Sequence, residues 1–262
     1  ALYLAMVSIA VIIRRQWMER ERLPYPLTQV GLAMIRGEEA GCKVNNYFRQ
    51  GWMWAGFSLP MFFGSLEALH RYNSVFPVVN LAWNVPLVGK QILQLSISFA
   101  VVGFSYFINA NIAVGIWFFH LLAKFEKELF SIAGLTSEQK ITFGVADFPL
   151  LAYQGVGALV AMVLVGLWLG RGHYIQVFNK AVGRAPEVDD GDEIMSYRWA
   201  VCGLAGGILI MSVWLWVMGT PAWVALVFII VALLIFIGIT RIIAEAGLAV
   251  VRAPMPAPDL VI

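Results

Sequence analysis

Charge is scarce in this sequence. Only 13% of its 262 residues are Asp, Glu, Lys or Arg, about half the 25% usual for a soluble domain. A soluble core of this length could not bury the 60% of residues that are hydrophobic, which excludes an ordinary water-soluble globule. The net charge of +2 is small and the basic residues gather in connections, so nucleic-acid binding has no footing. Cysteine is nearly absent: Cys42 lies in a polar stretch and Cys202 in an apolar one. Such a pair gives neither a disulfide framework nor a metal cluster. The three histidines, His70, His120 and His173, fall far apart on different elements, so no metal site, cofactor or catalytic cluster is expected and the chain does not read as an enzyme. It also has no phosphate-binding loop, dinucleotide fingerprint or metalloprotease helix, and no short-period repeat.

Long apolar runs are what it has in abundance. The mean hydropathy of +0.78 and the spacing of the runs predict an all-α, polytopic bundle of transmembrane helices, with the lipid bilayer as its first partner. Tryptophans Trp17, Trp168, Trp199 and Trp223 flank these runs, as an interfacial aromatic belt requires. The apolar stretch Ala1–Ile13 is shorter than the roughly 20 residues a span needs. Arg14 and Arg15 follow it rather than precede it, unlike a signal peptide. The expectation is one transmembrane region over 1–262, a piece of a longer chain cut within a helix, with the run Ala253–Asp259 a second interruption.

The stretch Leu93–Lys124 organises the reading. It is apolar and uncharged before Lys124, yet holds Gly103, Ser105, Tyr106, Asn109 and Asn111 at its centre. As one helix it would reach about 50 Å, too long for a single crossing. A polar centre is tolerated in hydrocarbon only against protein or water. The stretch therefore predicts a broken or re-entrant helical hairpin over 93–124, the architecture that builds midplane substrate sites in secondary transporters.

Around it, residues 14–50 read as a cytoplasmic connection rich in Arg and Lys. Within it, Pro24 and Pro26 stop the first helix before a short amphipathic helix at Leu27–Ile35. Gly51–Leu66 reads as a span kinked at Pro60, and Phe76–Val88 as a surface or re-entrant segment. Lys124–Asp147 reads as a polar loop and Phe148–Gly170 as a span. Residues 171–197 read as a second cytoplasmic loop with a solvated acidic run, Glu187–Glu193. Trp199–Met218 and Ala222–Ile243 read as a final pair of spans around Gly219-Thr220-Pro221. Counting crossings, a hairpin at 93–124 puts both Arg-rich connections inside, as the positive-inside rule requires; a single tilted crossing would put the second outside.

Three stretches resemble the oligopeptide transporter superfamily, and most closely an uncharacterised bacterial branch of it. The first is Arg14-Arg15-Gln16-Trp17-Met18-Glu19-Arg20-Glu21-Arg22-Leu23-Pro24-Tyr25-Pro26, similar to the family's helix exit followed by Glu-x-Leu-x-Tyr/Phe-Pro. The second is Val102-Gly103-Phe104-Ser105-Tyr106-Phe107 leading to Trp117-Phe118-Phe119. The third runs from Ser196-Tyr197-Arg198-Trp199-Ala200 through Thr240-Arg241-Ile242-Ile243-Ala244-Glu245-Ala246-Gly247. The family's usual Pro-Ser-Gly is Pro26-Leu27-Thr28 here, which leaves the substrate class open. The resemblance implies part of a larger transporter fold and cation-coupled uptake of peptides or metal chelates.

The candidate substrate residues are Tyr106, Asn109 and Asn111: amides at a helix break can hold a polar solute, or simply bond between helices. The candidate coupling residues are Glu245, one turn after Arg241 and able to pair with it at i, i+4, and His120, titratable within an apolar helix. Glu67 and His70, at i, i+3, read as an interface pair. Gly155, Gly157, Gly203, Gly206 and Gly207 read as small-residue helix contacts. The expected function is a secondary active transporter of the inner (plasma) membrane, moving a small polar substrate by alternating access with a cation, a proton favoured over sodium. A homo-oligomer or a larger membrane complex fits it as an assembly. The alternative is a non-transporting scaffold subunit of such a complex.

Overall fold

The computed structural model describes residues 1–35, 46–87, 89, 91–135, 148–185, 187–248 and 250–261. The expected charges at Arg36, Glu38, Glu39, Lys43, Glu138, Lys140 and Asp147, and Cys42, lie outside them. The chain forms two compact units. One comprises Ala1–Pro24, Ser137–Ile242 and Val251–Ile262; the other comprises Tyr25–Thr136 and Ile243–Val250.

In the first unit, α1 (Leu2–Arg15) passes into a π-helical turn, Gln16–Arg20. The second unit supplies α2 (Pro26–Ile35), α3 (Asn46–Arg49), α4 (Gly51–Tyr72), the strands β1 (Ala82–Pro86) and β2 (Ile92–Ser96), α5 (Phe99–Ser105) and α6 (Ala110–Ile132). The first unit resumes with α7 (Pro149–Leu169), α8 (Arg171–Val182), α9 (Tyr197–Val217), α10 (Ala222–Ala246) and α11 (Pro258–Val261). Among the described residues, three helices are long and apolar enough to cross a bilayer: α7, α9 and α10. The chain is thus a helical membrane protein.

The first unit is built on small residues. α9 lies antiparallel to α1: a Cβ on Gly203 would meet Ser8 Oγ at 2.6 Å, and one on Gly207 would meet Ala5 Cβ at 3.0 Å. Nearer the other end, Val11 packs with Tyr197, Ala200 and Val177. Two backbones approach this closely only where side chains are small. A Cβ on Gly155 would meet Pro254 at 3.1 Å, whereas Gly157 and Gly206 have nothing within 4 Å of an added Cβ. α7 packs on α10, where Gly238 accepts Leu159 and Val163. Beyond α10 the chain comes back into this unit. Met255 is fully buried with Ala152 and Val156, and Ala257 packs with Leu159 and Ile235. Met255 and Ala257 are the buried residues of this irregular stretch, while Arg252 and Pro258 stay exposed.

Several expectations are corrected here. Within a helical fold, the described residues include one short strand pair. Leu93–Ser96, read as helix, pairs as β2 with β1 in antiparallel register, Ala82 opposite Ser96 and Pro86 opposite Ile92. The period-2 alternation Leu93-Gln94-Leu95-Ser96-Ile97-Ser98 is the reason. α6 continues to Ile132, past the expected helix end at Lys124. Residues 171–182, read as loop, are α8. It closes on Gly183 at φ +85, with Gly183 N–H donating to Lys180 O and Arg184 N–H to Asn179 O at 2.8 Å, a glycine stop of the Schellman type. α4 runs unbroken through Pro60, has no buried residue and is not among the three apolar spans. Glu67 pairs with Arg71 at 2.7 Å while His70 Nδ1 donates to Phe76 O, so the expected Glu67–His70 pair does not form.

Candidate functional site

In the second unit, α5 ends at Ser105 and α6 begins at Ala110. The four residues between carry 3-10-like bonds, Phe107 N–H to Phe104 O and Ile108 N–H to Ser105 O. Asn109 is extended (φ −60, ψ 136), and its Oδ1 accepts from Asn111 N–H at 3.0 Å. That is an N-cap, satisfying one of the orphan donors at a helix start. The break at the amides is therefore present, and the asparagine that begins α6 also caps it. Tyr106 is 87% exposed, edge-on to Phe107; Asn109, Asn111 and His120 are exposed.

In the first unit, polar groups gather where α1 ends and α10 approaches its end. Arg241 Nη2 lies 2.7 Å from Glu21 Oε2, both side chains more than four-fifths buried. Gln16 Nε2 donates to Glu21 Oε1 at 3.0 Å. The guanidinium stands 5.8 Å from the centre of the Trp17 ring, a cation–π distance, and presses on α7 where Gly166 leaves room. Gly170 similarly makes room for Tyr174 and Gln16. Burial, then the Glu21 charge, push the Tyr174 phenol up to about 12. Trp17 is only 7% exposed: it belongs to this cluster, while Trp168, Trp199 and Trp223, each about 70% exposed, suit an aromatic belt. Helical spacing alone pairs Arg241 with Glu245; Glu21, 220 residues away in sequence, lies beyond any such local pattern. Glu245 itself is exposed.

A second contact lies beside the π turn. Gln16 N–H bonds Ile13 O, and buried His173 Nε2–H donates to Ile12 O at 2.9 Å. Burial, above all, holds His173 below its ordinary pKa.

The acidic run is not simply solvated. Glu193, 2% exposed in its side chain, holds Arg14 at 2.7 Å. Arg15 donates to Asp189 O at 2.7 Å, and Asp190 accepts from Tyr197 N–H at the start of α9. Arg14 and Arg15, at the end of α1, thus meet the acidic run before α9 at one end of the unit.

Three apolar helices with a knot of ion pairs at one end define an α-helical membrane protein. Residues 1–262 match a family model described as a family of unknown function, DUF6785, and the chain belongs to that family. No curated protein and no solved structure matches it.

Proposed function

We propose that this protein is a secondary carrier of the plasma membrane, crossing it several times and moving a small polar solute with a cation, a proton favoured, as its likeness to oligopeptide transporters implies. The observation that carries the reading is the interruption at Tyr106–Asn109 between two apolar helices. It leaves the amides of Asn109 and Asn111 accessible, as a polar solute would need. The Glu21–Arg241 pair supports the coupling half. An ion pair sealed at a membrane helix end is costly to keep unless it does something, and a π turn beside it is a common mark of function. In this reading Arg241 acts with Glu21, and Glu245 and His120 are secondary candidates.

One observation favours the scaffold alternative. α4 buries none of its residues and exposes Trp52, Trp54, Phe57 and Phe62, a face that a partner subunit or a second copy could cover as well as lipid can.

The test is uptake of labelled peptides and metal chelates by proteoliposomes of the full-length protein, with and without a proton gradient. The carrier reading expects gradient-dependent flux that falls several-fold in Asn109→Ala and Asn111→Ala. Folded protein without flux for any of them would favour the scaffold.

A further inference from the structure

α8 has two opposite faces. On one, His173 and Val177 are buried, one turn apart. His173 donates to Ile12 O in the last turn of α1, and Val177 packs with Val11, Tyr197 and Ala200. Further along, Ala181 O accepts from Arg198 Nε at 3.3 Å. From His173 to Ala181, α8 therefore stays level with the end of α1 and the start of α9. The other face is apolar and uncovered. At about 100° per residue, Arg171, Ile175, Phe178 and Val182 fall within an arc of about 60°, turned away from His173 and Val177. Ile175, Phe178 and Val182 are each more than half exposed. A helix with water on its outer side carries polar residues there.

The place of this face decides what meets it. α7 is a candidate membrane span ending at Leu169, and α8 starts at Arg171. Were the two one straight rod, Phe178 would stand about 16 Å beyond Leu167. Instead both line one groove of about 480 Å³, together with Arg171, Tyr174 and Ile175. The chain thus turns aside at Gly170 and lays the outer face of α8 beside the end of the span. Exposed Trp168 and Trp199 stand at the same end, one closing α7 and one opening α9, as interfacial aromatics do. Arg171 donates to Trp168 O at 3.3 Å and lies 4.7 Å from the centre of the Trp168 ring. Among the described residues no carboxylate pairs with it. An apolar groove with an unneutralised guanidinium at its edge is complementary to an acyl chain and an anionic headgroup.

We infer that α8 lies in the lipid–water interface and that its outer face, with the end of α7, seats an anionic phospholipid, the acyl chain along Leu167, Ile175 and Phe178 and the phosphate on Arg171. The inference rests on α7 crossing the bilayer and stands apart from solute transport. Nitroxide labels on Ile175→Cys and Phe178→Cys test it, in the full-length protein with its native cysteines replaced and in liposomes. Oxygen concentrates in lipid and a polar nickel chelate in water, so the oxygen-to-nickel accessibility ratio should be several-fold higher at both positions than at Glu187→Cys. An equal ratio would put water on the face, and labels that neither reagent reaches would put a protein there; either overturns the inference. Native mass spectrometry of the protein from mixed bilayers reads the headgroup. The native protein should retain phosphatidylglycerol several-fold over phosphatidylcholine, and Arg171→Gln should lose that preference while Arg184→Gln keeps it. A preference that survives Arg171→Gln would overturn the phosphate contact. If Arg171→Gln fails to fold, retention by the native protein decides, and equal retention of the two lipids overturns the contact.

Discussion

At the scale of single residues, the Glu21–Arg241 pair makes the plainest demand. Each side chain is more than four-fifths buried, and removing one partner leaves the other charge with little water. Such a break costs up to about 3–5 kcal/mol for a fully buried pair; with residual exposure, about 2 kcal/mol is expected for Arg241→Met or Glu21→Leu. The double variant should recover much of that loss, because both charges go together. Thermal unfolding in detergent of the four proteins reads this; an additive double variant would show that the two do not interact.

His173 makes a pH-dependent demand. Its ring donates to Ile12 O, and burial keeps the folded imidazole neutral below its ordinary value of 6.5. Arg15 and Arg20 push the same way, and Glu193 opposes them. As pH falls through 6.5 the unfolded chain takes up a proton that the folded chain refuses, so stability is lost on acidification and complete above that point. Melting temperatures should decline from pH 7 downward, and His173→Gln should flatten the decline. An equal slope in both proteins would remove His173 as its cause.

At the scale of elements, the contact between α1 and α9 discriminates among glycines that look alike in sequence. Leucine at Gly207 must displace Ala5 and the Ala1 carbonyl, an overpacking worth about 1–3 kcal/mol. Gly206 has open space where a Cβ would go, so Gly206→Ala should be neutral or slightly stabilising through helix propensity. Unfolding midpoints of the two variants check this, and equal effects would contradict the antiparallel packing.

What was legible in the sequence follows from range. α7, α9 and α10 could be read because hydropathy is a local property of 20 residues. The interruption before Ala110 could be read because amides in an apolar run are local too. β2 is hidden because its apolar composition runs on into the helix that follows it. α8 was missed because its charges hid His173 and Val177, one turn apart on its buried side, and the glycine stop after it. The partners of Arg241 and Arg14 depend on packing between segments far apart in the chain, which no local pattern carries.

At the scale of the whole molecule, the first unit has a direction. Arg14 and Arg15 meet Glu193 and Asp189, Arg20 donates to Gln176, and Lys180 approaches Asp190 at 3.8 Å. The connection after α1 and the one between α7 and α9 therefore share one end. α9 leads away from that end, and α10 returns to bring Arg241 back to Glu21. The turn at Gly219–Pro221 then belongs to the opposite face, one helix length of about 30 Å distant. We propose that this end faces the cytoplasm, the side that basic residues favour. Single cysteines can test this in a chain whose Cys42 and Cys202 are replaced. Met18→Cys and Glu187→Cys should react with a membrane-impermeant maleimide in inverted vesicles and not in intact cells. Ala222→Cys should do the opposite. Opposite labelling of the first two would break the link between the connections, because residues that share one end of a unit cannot face different sides of a bilayer.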